Sequence, residues 1–338
     1  FVFSIRFAGI DQAKKAKKIN LIGKIGEDIK LKSFITELKN EIKIYENEYK
    51  NGTEPNMRKI IVLFSLVCIV LSSDAQTAGK EPVALTNVSH HAGISVVELV
   101  DPYLSILNYN GLGLRFEHTE TRYFKPANPK FIAYSRLTGL GAAVKNPQAT
   151  AGITYVGGNA AWGVLYEYRD ISNLIFHAGG NMDVDFAYKM NSRNVNNPVN
   201  IDLATNLNAM LGIRYNYATK KRILKLKANL EFPLIGYMFV PYPGLTYYEM
   251  YSSGAYGEAI HFSSLNNKQG LKEEISIDVP FKKSTCSFGV RMHQLKYQAA
   301  DQPYSFNEFS IFVGINYDIV RFSGRKVKMP EHYISPGN

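Results

Sequence analysis

The feature that most constrains this chain is a two-residue period held for much longer than an ordinary strand. Between Leu174 and Lys189 the even positions read Leu174, Phe176, Ala178, Gly180, Met182, Val184, Phe186 and Tyr188, while His177, Asn181, Asp183, Asp185 and Lys189 fall on the odd ones. Successive side chains of a strand point to opposite faces, so this segment has one apolar and one polar face along its whole length. The next segment repeats it, with Leu203, Leu207, Leu211 and Tyr215 against Asp202, Asn206, Asn208 and Arg214. After Ala218–Lys221, Leu224, Leu226, Ala228 and Leu230 oppose Lys225, Lys227, Asn229 and Glu231. Leu112, Leu114 and Phe116 oppose Arg115 and Glu117, and Phe309, Ile311, Val313 and Ile315 oppose Glu308 and Asn316. Strands of soluble domains run about five to six residues. A strand that crosses a bilayer needs roughly nine to eleven, with its apolar face toward lipid and its polar face toward a lumen.

Ten such strands are predicted, near 88–97, 111–121, 131–143, 151–168, 173–189, 200–217, 222–233, 270–280, 284–297 and 306–320. The third alternates poorly and the first is weak. Every second joint is short (122–130, 169–172, 218–221, 281–283), and the others (98–110, 144–150, 190–199, 234–269, 298–305) are mostly longer. Barrels of the outer-membrane type show that asymmetry. The chain has 22 Tyr and 19 Phe but one Trp, and its aromatics gather toward strand ends, where membrane girdles lie. The expected fold is all-β: an antiparallel up-and-down transmembrane β-barrel of ten strands with a non-barrel N-terminal extension. It becomes twelve strands if the Tyr247–Tyr251 run adds a pair. The competing architecture is a secreted soluble β-sandwich, whose strands should be shorter.

Other classes are excluded. Two cysteines rule out a disulfide scaffold and multi-cysteine zinc modules. The net charge of +10 is spread thinly, residues 76–338 holding 26 Lys/Arg and 20 Asp/Glu, so nucleic acid is not an expected partner. Met57-Arg58-Lys59, the apolar run Ile60–Leu71, and small residues Ser73 and Ala75 form a secretory signal over 57–75 with cleavage after Ala75. Residues 1–56 then read as upstream sequence from a misplaced start, or alternatively as an amphipathic helix around Lys14–Tyr49. The mature chain is expected as a linker at 76–87, a barrel over 88–322 and a C-terminal tail at 323–338, with Cys286 its one cysteine.

Several phrases carry a family resemblance: Asp101-Pro102-Tyr103-Leu104-Ser105, Tyr109-Asn110-Gly111-Leu112-Gly113-Leu114-Arg115-Phe116-Glu117, Met190 to Pro198, Tyr247-Tyr248-Glu249-Met250 and Asn266-Asn267-Lys268-Gln269-Gly270-Leu271. From about 93 to 330 the chain resembles the DUF3316 family of Bacteroidota proteins. The resemblance implies an outer-membrane-type barrel in a Gram-negative envelope. It carries over no catalytic or binding residue.

The polar rows give the expected lumen residues: Arg115, Glu117, His177, Asp183, Asp185, Asp202, Arg214, Lys225, Lys227, Glu231, Asp278 and Arg291. His177, Asp183 and Asp185 share a face and have the residue types of an acid–base or metal site. The favoured reading is ion-pair packing, because small barrels fill their lumen with side chains. His90 and His91 are adjacent and point to opposite faces, so they are not expected to share a metal. No GxSxG, HExxH or CxxC is present, and no catalytic residue, metal or cofactor is expected. The 234–269 loop, with Tyr242, Tyr247, Tyr248, Tyr251 and Tyr256, is the expected recognition surface or lid. The expected role is non-enzymatic: a structural or partner-binding protein whose surroundings are outer-membrane lipid and envelope proteins. A narrow channel and a secretion-machine scaffold are the alternatives.

Overall fold

The computed structural model describes residues 82–337 except Ser192, Val195, Asn196, Pro243, Lys282, Lys283, Asp301 and residues 321–331. The expected signal segment and residues 1–56 lie outside the described residues. The chain forms β1 (Val83–Ala84), β2 (Thr86–Asp101), β3 (Ser105–Tyr123), β4 (Phe131–Lys145), β5 (Gly152–Ile171), β6 (Leu174–Asn191), β7 (Val199–Ala218) and β8 (Ile223–Phe239). Then follow helix α1 (Tyr247–Ser253), a 3-10 turn (Ala255–Ala259), β9 (Ile260–Ser264), β10 (Lys268–Pro280), β11 (Thr285–Ala299), β12 (Gln302–Ile319) and β13 (Tyr333–Ile334).

Neighbours from β2 to β8 and from β10 to β12 pair antiparallel in sequence order. β12 pairs back with β2, and β8 pairs with β10, which closes a ten-stranded barrel. β9 is extra: it lies on the edge of β8 beyond the junction with β10. All ten expected strands are barrel strands.

The faces are sorted as the period demands. Ile94, Leu112, Phe116, Trp162, Leu211, Ile275 and Ile311 are exposed on the outside, while Glu117, Asp183, Arg214, Glu231, Arg291 and Glu308 are buried inside. That is a soluble protein turned inside out, and a belt of this size is stable against lipid rather than water. Phe131, Tyr166, Tyr168, Tyr215, Tyr217 and Phe281 ring the outer surface near one end, as an interfacial girdle would. Among the described residues no helix is long and apolar enough to cross a membrane.

The two ends differ. The turn end has the joints 124–130, 172–173, 219–222 and 281–284, together with Thr86 and Ile319. Asn173, with φ of 64°, makes the tight turn between β5 and β6, a left-handed position that asparagine tolerates. At this end β1 pairs in parallel with β13, and Ala84 packs with Tyr123 and Ile132 against Leu165 and Ile334. The loop end has the joints 102–104, 146–151, 192–198, 240–267 and 300–301.

Three expectations are corrected. The joints expected at 98–110 and 298–305 are tight turns, because β2, β3, β11 and β12 run on past the point where the apolar-out alternation fades. There the inward side chains form an apolar plug of Val97, Leu99, Tyr103, Tyr109, Leu140, Val144, Ile153, Tyr304 and Phe306, while Glu98, Asn108, Gln294, Lys296 and Asn307 face outward, so the apolar and polar rows change sides. The Tyr247–Tyr251 run is not a strand pair. It is helix α1, started by a capping box in which Glu249 N–H donates to Thr246 Oγ1 (3.1 Å) and Thr246 N–H donates to Glu249 Oε2 (2.8 Å). The barrel therefore has ten strands, not twelve.

Candidate functional site

Each lumen residue is aimed by strand parity, and its partner is chosen by what reaches across. At mid-barrel, Arg115 on β3 donates to Glu308 on β12 (2.6 Å), which also accepts from Ser95 (2.7 Å). Arg291 on β11 bridges Glu117 (2.7 Å) and Glu274. Arg136 on β4 donates to Glu231 on β8 (2.8 Å), and Lys272 on β10 reaches both Glu231 and Asp183 on β6 at 3.1 Å. Arg291–Glu274 and Lys272–Glu231 join neighbouring strands, while the other bonds between charged groups join strands two to four places apart around the wall, so together they form a bar of charge across the lumen. Opposite charges at these separations attract strongly once they are shielded from water.

Asp183 and Asp185 are brought together, but as acceptors. Asn159 donates to both (3.0 and 2.7 Å), and so does Asn206 (2.7 and 2.9 Å). Their oxygens are committed to amides and to Lys272, which leaves no free carboxylate pair for acid–base work. His177 is elsewhere. It lies 2.9 Å from Glu167, which also accepts from Tyr123 (2.8 Å) and pairs with Arg169. Asp202 accepts from Lys189 (2.7 Å) and Tyr304 (3.2 Å) beneath the loop end. At the turn end Lys227 pairs with Asp278 (2.5 Å). Arg214 and Lys225 donate to the backbone carbonyls of Pro336 (2.5 Å) and Gly337, which lie in the barrel mouth.

Sequence reasoning passed over Arg136, Lys272, Lys268 and Lys189 as site residues. Arg136 lies on β4, whose outward positions include Gly139 and Gly141 and so give no apolar row to read against. Lys272 is followed by Glu273 and Glu274, a charge run that hides its parity. The cross-strand register would reveal it, since Lys272 pairs with Glu231 and His293.

His90 and His91 do face opposite ways. His90 is outside beside Tyr317 (3.0 Å) and His118 (3.4 Å), and His91 is inside against Phe312. The ligand atoms of His91, Glu117 and Glu274 lie within 4.8 Å of one another. Arg291 already bridges the two carboxylates, and Arg115 Nη2 stands 4.0 Å from Glu117 Oε2. A guanidinium thus stands where a cation would bind, and the cluster reads as an ion-pair group.

The loop end is capped from above. Tyr247 inserts its ring, donates to Asn200 Oδ1 (2.9 Å) and accepts from Ile201 N–H (2.8 Å). Tyr103 donates to the Leu245 carbonyl (2.9 Å) and packs edge-on against Tyr247. Burial pushes the Tyr247 phenol up, and burial beside Asp101 and Glu249 pushes the Tyr103 phenol up to about 12, so both stay protonated. Tyr256 donates to the Tyr247 carbonyl (3.1 Å), and Tyr242 lies edge-on to His261. Tyr248 and Tyr251 are 77% and 72% exposed, on one face of α1. Tyr251 packs edge-on against Tyr256, so the five tyrosines divide into an inserted anchor, two braces and two solvent-exposed rings.

The family model for "Protein of unknown function (DUF3316)" matches residues 60–326. No curated protein matches the chain in sequence. Among solved structures it is similar to the outer membrane protease OmpT from Escherichia coli, at 6% identity and TM-score 0.38, over 73% of this chain and 100% of that one. It is similar to the transport unit of the autotransporter AIDA-I from Escherichia coli, at 10% identity and TM-score 0.39, over 72% and 92%. A third is the translocator domain of the autotransporter NalP from Neisseria meningitidis, at 9% identity and TM-score 0.37, over 77% and 95%. No activity is inferred from these likenesses.

Proposed function

Because the chain belongs to the DUF3316 family, whose description assigns no activity, we propose from the barrel itself that it is an axially closed, non-catalytic outer-membrane protein. Its work lies on the capped end, as a structural or partner-binding surface. The proposed setting is the outer membrane of a Gram-negative bacterium of the Bacteroidota, reached by export through the 57–75 signal. Lipid contacts the belt, and envelope proteins are the partners met by Tyr248 and Tyr251. Exposed tyrosines suit that role, since they supply rigid contact area at low entropic cost.

The observation that carries this reading is the bar of cross-lumen pairs Arg115–Glu308, Arg291–Glu117, Arg136–Glu231 and Lys272–Asp183. An open pore needs a continuous wet path. Here the middle is filled with paired charges, the loop end with an apolar plug and the turn end with residues 332–337. A ten-stranded barrel has little lumen to spare. Reconstitution into planar bilayers tests the reading: the expected trace shows no discrete conductance steps. Stable single-channel steps would replace it with the narrow-channel alternative.

A further inference from the structure

The barrel wall has one seam that no ladder closes among the described residues. The β8–β10 ladder runs from Lys225↔Asp278 to Glu231↔Lys272 and stops there. Pro233, two residues further on β8, has no N–H to give and crowds the strand opposite: a Cβ at Gly270 would stand 3.0 Å from its ring. Beyond it β8 pairs with β9, Ile235↔Ser264 to Phe239↔Ile260, while Lys268–Leu271 of β10 pair only with β11. The wall therefore splits on its loop-end half, with β8 and β9 as one lip and β10 and β11 as the other.

Unpaired backbone in hydrocarbon costs several kcal/mol per group, so the lips need a substitute for the missing ladder. One residue supplies it. The Asn267 side chain donates to the Phe262 carbonyl and accepts from Ser264 N–H, both at 2.8 Å, as a neighbouring strand would. Its own carbonyl accepts from Gln298 N–H of the other lip (2.9 Å). Inside this clasp the lips meet by side chains, with Met238 and Val240 against Ala299 and Tyr297.

Behind the seam is a cavity of about 90 Å³, walled by Leu140, Met238, Leu295, Tyr297 and Phe306 and edged by the charged side chains of Arg115, Asp185, Asp202, Lys268, Lys272 and Glu308. Its walls come from both lips. On the inner face of β9, Ser263 Oγ is buried with no hydrogen-bond partner, and so is His261 Nε2. Outside, Ile235, Tyr237, Ile260 and Phe262 present an apolar approach.

We propose that this seam is a side entrance through which a small apolar molecule bearing one hydrogen-bonding group, such as a phenol, passes from the lipid into the cavity. Asn267 is its latch. Most of the surface this cavity exposes is carbon, which suits a small ring, and the charged groups at its edge suit one polar substituent. Ser263 and His261 supply the hydrogen-bonding groups at the threshold. The entrance is lateral, so it is compatible with the axially closed barrel proposed above and does not depend on it.

The test uses a single cysteine at Met238→Cys in the full chain carrying Cys68→Ser and Cys286→Ser, reconstituted in vesicles. It is reacted with methyl methanethiosulfonate, small and uncharged, and with its trimethylammonium-ethyl analogue. The control is Leu99→Cys, equally buried but flanked by ladders on both sides. Met238→Cys should react with the uncharged reagent at least tenfold faster than Leu99→Cys. Asn267→Ala should raise that rate at least fivefold, phenol should slow it at least twofold, and the charged reagent should not react. Equal rates at the two cysteines, indifference to Asn267→Ala or to phenol, or equal reaction with the charged reagent would each overturn the proposal. If Met238→Cys does not give a heat-modifiable barrel, Leu295→Cys in the same cavity takes its place under the same criteria.

Discussion

Arg291 should be the most costly single side chain to remove from the mid-barrel bar. Its guanidinium bridges Glu117 and Glu274, and the three side chains are only 7%, 5% and 17% exposed. Arg291→Met keeps the stem and its packing against Phe312, where the guanidinium carbon now stands 5.2 Å from the ring centroid. It takes the bridging cation away from two carboxylates in a shielded space, with Glu117 keeping the more distant Arg115 guanidinium at 4.0 Å. Breaking a buried pair in this way costs about 3–5 kcal/mol, whereas replacing all of its members by neutral residues is often close to neutral. The assay is equilibrium urea unfolding from vesicles, following tryptophan emission, with Arg291→Met beside the triple variant Arg291→Met, Glu117→Gln, Glu274→Gln. The single variant should lose about 3–5 kcal/mol with an unchanged m-value, and the triple should return to within about 1 kcal/mol of the parent. A loss below about 1 kcal/mol, or a triple no better than the single, would refute the claim that the bar is a set of mutually neutralising buried charges.

Further outcomes follow from other parts of the barrel. Glu273 alternates outward between Leu230 and Met292 and has no ion-pair partner among the described residues, so Glu273→Leu should stabilise the barrel by about 1–2 kcal/mol in the same unfolding assay. Thr246→Ala removes the capping box of α1 and about 1 kcal/mol of local stability. It should speed protease cleavage between 245 and 259 without moving the barrel's unfolding midpoint. The double variant Arg214→Ala, Lys225→Ala removes both side-chain donors to the 336–337 carbonyls and should make residues 332–337 cleavable from the turn end, which mass spectrometry of the digested vesicles would register.

How much of this was legible depends on what fills the lumen at each height. Where the interior is polar, as along β6 and β7, a simple parity rule separated Asp183, Asp185, Asp202 and Arg214 from the lipid-facing row. Toward the loop end the lumen is apolar, with Val97, Leu99, Tyr304 and Phe306 turned inward and Glu98, Ser305 and Asn307 outward, so the apolar-out, polar-in pattern reverses and the strands were cut short. β4 lost its signal for the opposite reason, because glycines stand where an outward apolar row was needed. Pairing across the lumen was out of reach. Asp183 takes Lys272 from a strand 89 residues away, and a sequence read one strand at a time contains no such register. The same limit hid the seam, since Pro233 marks a break only once β8 is known to lie beside β10. Helix α1 could have been read from its Thr246-x-x-Glu249 box, but the density of tyrosines drew the reading toward strand.

The central claim concerns which face of each strand meets hydrocarbon, and the chain carries its own probe. Trp162 is the one tryptophan, 54% exposed on the outer wall of β5 and adjacent in register to Ser135 and Met182. Its emission should be strongly quenched in vesicles of phospholipid brominated along the acyl chain and should be untouched by aqueous iodide. Quenching by iodide with no response to the brominated chains would place this face in water and contradict the account.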